Sequence, residues 1–160
     1  MVHLIGVGNH LFQHDADTSV QLALDEREKF KKHVSVLIDK YDFALLAEEF
    51  SDEARRMAQA SATMLQQFAK ETGIKHRFCD PNSRERKEHG IGKLDHDKRE
   101  RYWIEQIKDY KDRKMLFVCA YSHFDSFAEK LTAAGFTVQR ERKMQHFSDR
   151  DLIRAAWEQE

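Results

Sequence analysis

Met115-Leu116-Phe117-Val118-Cys119-Ala120-Tyr121-Ser122-His123 runs six apolar residues straight into a polar cluster. A short, continuously apolar run bounded by polar residues reads as a strand buried on both faces, the pattern of a parallel sheet. The same arrangement recurs three times. Val2-His3-Leu4-Ile5-Gly6-Val7 leads into Gly8-Asn9-His10, Phe43-Ala44-Leu45-Leu46-Ala47 into Glu48-Glu49, and His76-Arg77-Phe78-Cys79 into Asp80 through Arg86. If these runs are parallel strands, every cluster lies at a carboxyl end, the rim at which open α/β sheets bind ligands.

Helical signals fill the intervals. Asp25 can cap a helix from Glu26 with Phe30, Val34, Leu37, Ile38 and Tyr41 on one stripe. Ser51 caps a second helix from Asp52, with Met57, Ser61, Met64, Leu65 and Phe68 facing inward and Gly73 ending it. Residues 83–97 are polar, carry Gly90 and Gly92, and read as a mobile segment. A helix over 98–112 buries Trp103, Ile104, Ile107 and Tyr110, and another over 124–134 uses Phe124, Phe127, Ala128 and Leu131. Phe136 to Glu141 reads as a fifth strand near an edge, and Ser148 or Asp149 caps a last helix. This alternation, without a hairpin signal, predicts one domain over residues 1–160: α/β, three-layer αβα, with a mainly parallel sheet of about five strands.

A net charge of −1 gives no whole-protein field that would draw in nucleic acid or an anionic membrane. Locally, residues 75–114 hold 13 Lys/Arg against 9 Asp/Glu, a surplus of 4 positive charges around the predicted rim, which suits an anionic ligand. Cys79 and Cys119 end strand-like runs and read as reduced core thiols. No apolar stretch approaches the roughly 18 residues of a membrane span. A soluble cytoplasmic protein is expected.

Several rim residues have the chemistry of a site. His10 and His123 each follow a strand and can act as a metal ligand or as a base near neutral pH. His14, four residues beyond His10, joins them if that loop turns helical. Glu48 and Glu49 are adjacent on a strand, so only one faces the crevice. Arg84 and Arg86 are cationic forks for a carboxylate, a phosphate or a developing oxyanion, with Asp80 and Tyr121 beside them as substrate contacts. Asp95-His96-Asp97 is a further metal-like cluster, though its polar surroundings suit a solvated turn. Gly6-Val7-Gly8 begins a dinucleotide fingerprint, but Leu11 stands where the third glycine belongs, so neither nicotinamide nor flavin is expected. No G-x-S-x-G elbow supports a serine hydrolase.

Gly8-Asn9-His10, Glu48-Glu49-Phe50, Arg84 or Arg86, and Ala120-Tyr121-Ser122-His123 together resemble the superfamily of erythromycin esterases, ChaN-like haem-uptake proteins, and TraB and Tiki proteins. The likeness runs from about residue 3 to about residue 138. Ala120 departs from the group's late glycine, and the chain lacks the helical insertions that shape substrate choice in longer members. The resemblance implies a hydrolytic or metal-dependent site of His10, Glu48 and His123.

The leading expectation is a small hydrolase-like enzyme. In it, Glu48, His10, His123 and Arg84 are catalytic, and a divalent metal (Zn, Mn or Fe) sits on His10, Glu48 and His123 or water is activated directly. His123→Ala would then abolish activity without unfolding the domain. Two alternatives stand beside it. One is a binding module without chemistry for a small anionic ligand such as a nucleotide or a haem-like molecule. The other is a phosphodiesterase or nucleic-acid-acting protein using the basic 84–101 segment, whose binding would weaken steeply with salt.

Overall fold

Strand residues alternate between two cores, and that alternation builds the layers. Leu4, Leu45, Ala47, Met115, Phe117 and Cys119 face one side of the sheet; Ile5, Leu46, Leu116 and Val118 face the other. The computed structural model describes residues 1–159. Its five strands are β1 (Val2–Val7), β2 (Leu45–Glu48), β3 (Lys75–Phe78), β4 (Met115–Ala120) and β5 (Val138–Lys143). They form one sheet in the order β3-β2-β4-β1-β5, with every pairing parallel.

The helices are α1 (Gln21–Lys40), α2 (Asp52–Met57), α3 (Met64–Thr72), α4 (Ser83–His89), α5 (His96–Ile107), α6 (Phe124–Ala133) and α7 (Asp149–Trp157). Trp103 and Ile107 of α5 and Phe124, Phe127 and Leu131 of α6 cover one face. Phe30 and Val34 of α1, Met64 and Leu65 of α3 and Leu152 of α7 cover the other. This is a three-layer α/β fold. Among the described residues, no helix is long and apolar enough to cross a membrane. The connections after β1 and β2 lead to helices on one face, and those after β3 and β4 to the opposite face. Adjacent strands whose connections diverge leave a crevice over their carboxyl ends.

Four differences from the sequence expectation stand out. Helix α1 starts at Gln21 rather than Glu26, because Ala23 extends the buried stripe by a turn and Arg27 Nε donates to the Leu11 carbonyl at 2.9 Å. The helix expected from Asp52 to Thr72 is two helices. Gln59 is left-handed (φ 56°), and Thr63 restarts the chain with a capping box to Gln66. That break turns Met57 outward instead of into the core. Residues 83–89 are helix α4, capped by Asn82 with Glu85 and closed by left-handed Gly90. Strand β5 lies two residues later than expected, at Val138–Lys143, and keeps its edge position.

Gly8 is fixed by close approach, not by its dihedral angles. A Cβ there would lie 1.9 Å from the carbonyl oxygen of Gln145, part of a backbone segment anchored by Phe147 N–H donating to Gly8 O at 3.1 Å. Gly8→Ala must therefore push the two segments apart. Its thermal melt should report a loss of about 1–3 kcal/mol, the usual cost of overpacking.

Candidate functional site

Glu49 is the hub of the crevice floor. Its N–H donates to Val118 O at 2.8 Å, so the extended backbone continues past β2 and sends the Glu48 and Glu49 side chains to opposite faces. Glu49 Oε2 accepts the Ala120 N–H at 2.6 Å, and Oε1 accepts Arg99 Nη2 at 2.7 Å. His123 Nε2 and His10 Nε2 lie 3.5 and 3.8 Å from that same Oε1. Glu48, the carboxylate assigned to the site from sequence, is instead fully buried on the other face. There it accepts Thr63 Oγ1 at 2.5 Å, His76 Nε2 at 2.7 Å and Gln13 Nε2 at 3.3 Å. Strand parity selects Glu49. Glu48 reaches the site through Gln13, whose Oε1 meets His10 Nδ1 at 2.6 Å.

The two histidines differ in setting. His10 sits in a 3₁₀ turn, His10–Phe12, capped by the Asn9 side chain, and its own side chain is 44% exposed. With Nδ1–H directed at the Gln13 amide oxygen, Nε2 is left as an acceptor. His123 is buried, in the 3₁₀ turn Tyr121–His123 between β4 and α6. Its Nδ1 donates to Glu100 Oε1 at 2.6 Å, and its Nε2 faces Arg99 Nη1 at 3.4 Å. The ring lies between His96 (centroids 4.1 Å apart) and Trp103 (4.9 Å). Glu100 also accepts Ser126 Oγ at 2.6 Å and Lys130 Nζ at 2.7 Å. Burial pushes its pKa up, but these donors outweigh it and hold the carboxyl below the usual range.

The arginine of the site is Arg99. Its Nε donates to Asp80 Oδ1 at 3.0 Å while its Nη2 holds Glu49. Burial works against this cation, yet Glu49 and Asp80 more than offset it and raise its pKa. Arg84, expected to be catalytic, is 84% exposed and pairs with Glu88 one turn on, so it does not join the histidines. Arg86 does reach the cleft. Its Nη2 donates to Asp80 Oδ2 at 2.6 Å, and its buried Nη1 has no partner among the described residues. Asp80 lines the cleft and binds Arg86, Arg99 and the Trp103 indole N–H, so it organises the cations there. Tyr121 turns away, its ring 5.4 Å from His146 with Lys143 Nζ 4.3 Å above it. Sequence reasoning missed Arg99 and Glu100, although a signal existed. Both are charged residues one turn before Trp103 and Ile104, on the face that the helix presents to the core.

Of these groups, His10, Glu49, Asp80, Arg86 and Arg99 line a cleft of about 620 Å³, within the ordinary range of small-molecule sites, and buried His123 does not. His10 and His14 flank its Phe50 wall at 6.0 and 5.8 Å between ring centroids. His14 Nδ1 accepts the Ala16 N–H at 3.3 Å, which leaves its proton on Nε2. Burial first, then the Arg27 cation, lowers the His14 pKa to about 4, with Asp15 opposing. A lowered histidine pKa means the unfolded chain takes up the proton first as pH falls. His14 therefore contributes stability that is fully present above about pH 6.5 and is lost as the pH falls toward 4. Urea melts at pH 7, 6 and 5 should show a decline that one proton can drive at up to about 1.4 kcal/mol per pH unit. His14→Gln should make it shallower, leaving the part due to His33 and His96, whose pKa values burial also lowers.

The donors do not fit the metal that the family resemblance implies. Glu49 already binds a guanidinium and a backbone N–H, and Arg99 places a positive charge beside the His123 imidazole. Among the described residues, no group of three or more His, Cys, Asp or Glu side chains is arranged to hold a metal ion. The trio His10, Glu48 and His123 is not assembled. No family model, curated protein or solved structure matches the chain.

Proposed function

We propose that the chain hydrolyses small carboxylic esters, with His10 activating water and Arg99 and Arg86 supplying the positive field otherwise expected of a metal. One observation carries this reading: His10 Nε2 faces Glu49 Oε1 across 3.8 Å on the open cleft floor. That gap is too wide for a direct hydrogen bond and suits a water molecule touching both groups. Gln13, anchored on buried Glu48, holds the His10 ring and its proton on Nδ1. As the water oxygen attacks the ester carbonyl carbon, His10 Nε2 takes a proton. The C–O bond then breaks and His10 returns that proton to the leaving alkoxide. Arg86, whose side chain lines the cleft, and the His14 Nε2–H are the donors assigned to the transient oxyanion. Two buried free thiols, Cys79 and Cys119, fit the reducing cytoplasm as its location.

A screen of ester, amide and phosphoester substrates tests the reading. Ester turnover should survive chelation by EDTA, and His10→Ala should lower kcat/KM by about 10²–10⁴, the usual share of a general base. Its melting temperature should barely move. Loss of activity on chelation would restore the metal reading. Selective phosphoester turnover would favour a phosphodiesterase, and tight retention of an unhydrolysed anion would favour a binding module.

A further inference from the structure

Leu94 and Met57 are, among the described residues, the two most exposed large apolar side chains, at 87% and 80%, and both line this one cleft. Single exposed apolar residues are ordinary, but a pair on the rim of a site with a charged floor needs a reason. Met57 is turned there by the break between α2 and α3, and Ala54 and Ala58 place the rest of an apolar stripe at helical spacing against the same space. Phe50 continues that wall down to His10 and His14. Buried charge lies on the floor, where Glu49 and Asp80 hold Arg99, while Glu53 and Lys93 also line the cleft.

We infer that the occupant is an amphiphile: a carboxyl or ester group on the floor joined to an unbranched apolar chain of about six to eight carbons along Phe50, Met57 and Leu94. A volume of about 620 Å³ suits such a molecule and is small for a folded protein segment. Where the carbonyl sits rests on the hydrolytic reading above, but the chain-binding test does not.

Calorimetric titration of the whole protein with octanoate and with butyrate decides it. Octanoate should bind at one site roughly tenfold or more tighter than butyrate, since each buried methylene adds several-fold when fully covered and less on an open rim. In the Met57→Asp, Leu94→Asp double variant that ratio should fall to within about twofold. Both positions are exposed, so the fold should persist, and Leu94→Ser alone gives a milder check. Equal affinities for the two acids, no binding of octanoate, or a chain-length gain that survives in the variants would overturn the inference. A protein that hydrolyses no ester but prefers octanoate through Met57 and Leu94 would lose the catalytic reading and keep this one.

Discussion

Glu49→Ala loses ester turnover and about 3 kcal/mol of stability together, the scale expected when a buried ion pair loses one partner. The Ala120 N–H is left without its acceptor and Arg99 Nη2 without its anion, while Asp80 still holds Arg99 Nε and limits the damage. Glu49→Gln separates the two effects. Its amide oxygen can replace one of the two accepted hydrogen bonds, so about half the stability should return. The negative charge that positions water against His10 does not return, and kcat should stay at least about 10²-fold down. Urea denaturation and initial rates on the best ester measure both quantities. A Glu49→Ala protein with wild-type stability would mean that the network around Arg99 is not held by this carboxylate. A Glu49→Gln protein with wild-type kcat would remove Glu49 from the chemistry.

The same carboxylate shows where the sequence was legible and where it was not. All the long apolar runs were readable as strands because buried parallel strands need apolar residues on both faces, and the rim followed from their shared direction. The partition between Glu48 and Glu49 was not readable, because both faces of a buried parallel strand are apolar and nothing from Leu45 to Ala47 marks which face carries the site. The split at residues 58–63 was partly readable in the Thr63/Gln66 capping box, but the continuous helical stripe across it pointed to a single helix. Long-range bonds decide the matter: Thr63 reaches Glu48, and the Ala62 N–H donates to Asp15 at 3.0 Å. Arg99 was legible only through its spacing from Trp103, for a related reason. Charged residues on an amphipathic helix ordinarily face solvent, and only the tertiary fold brings Asp80 and Glu49 over the inward side of α5.

His123→Ala separates a catalytic imidazole from a structural one only if stability is measured beside activity. The sequence alone suggested loss of activity with the fold intact. In the structure the ring is buried against Trp103 and His96 and is one of three donors to the fully buried Glu100. Truncation therefore opens a cavity and removes a bond from a buried carboxylate, so the variant should lose about 3–4 kcal/mol. Its inactivity would then prove little. His123→Asn is the informative substitution. The asparagine amide nitrogen lies near the position of Nδ1 and can still donate to Glu100, but nothing replaces Nε2 beside Glu49 and Arg99. It should recover more than half of the lost stability in urea melts while ester turnover stays at least about 10-fold below wild type, because Nε2 helps fix the Arg99 guanidinium that faces the reacting group. Full activity in His123→Asn would make the imidazole a strut for Glu100 alone and leave His10 as the one histidine base on the cleft floor.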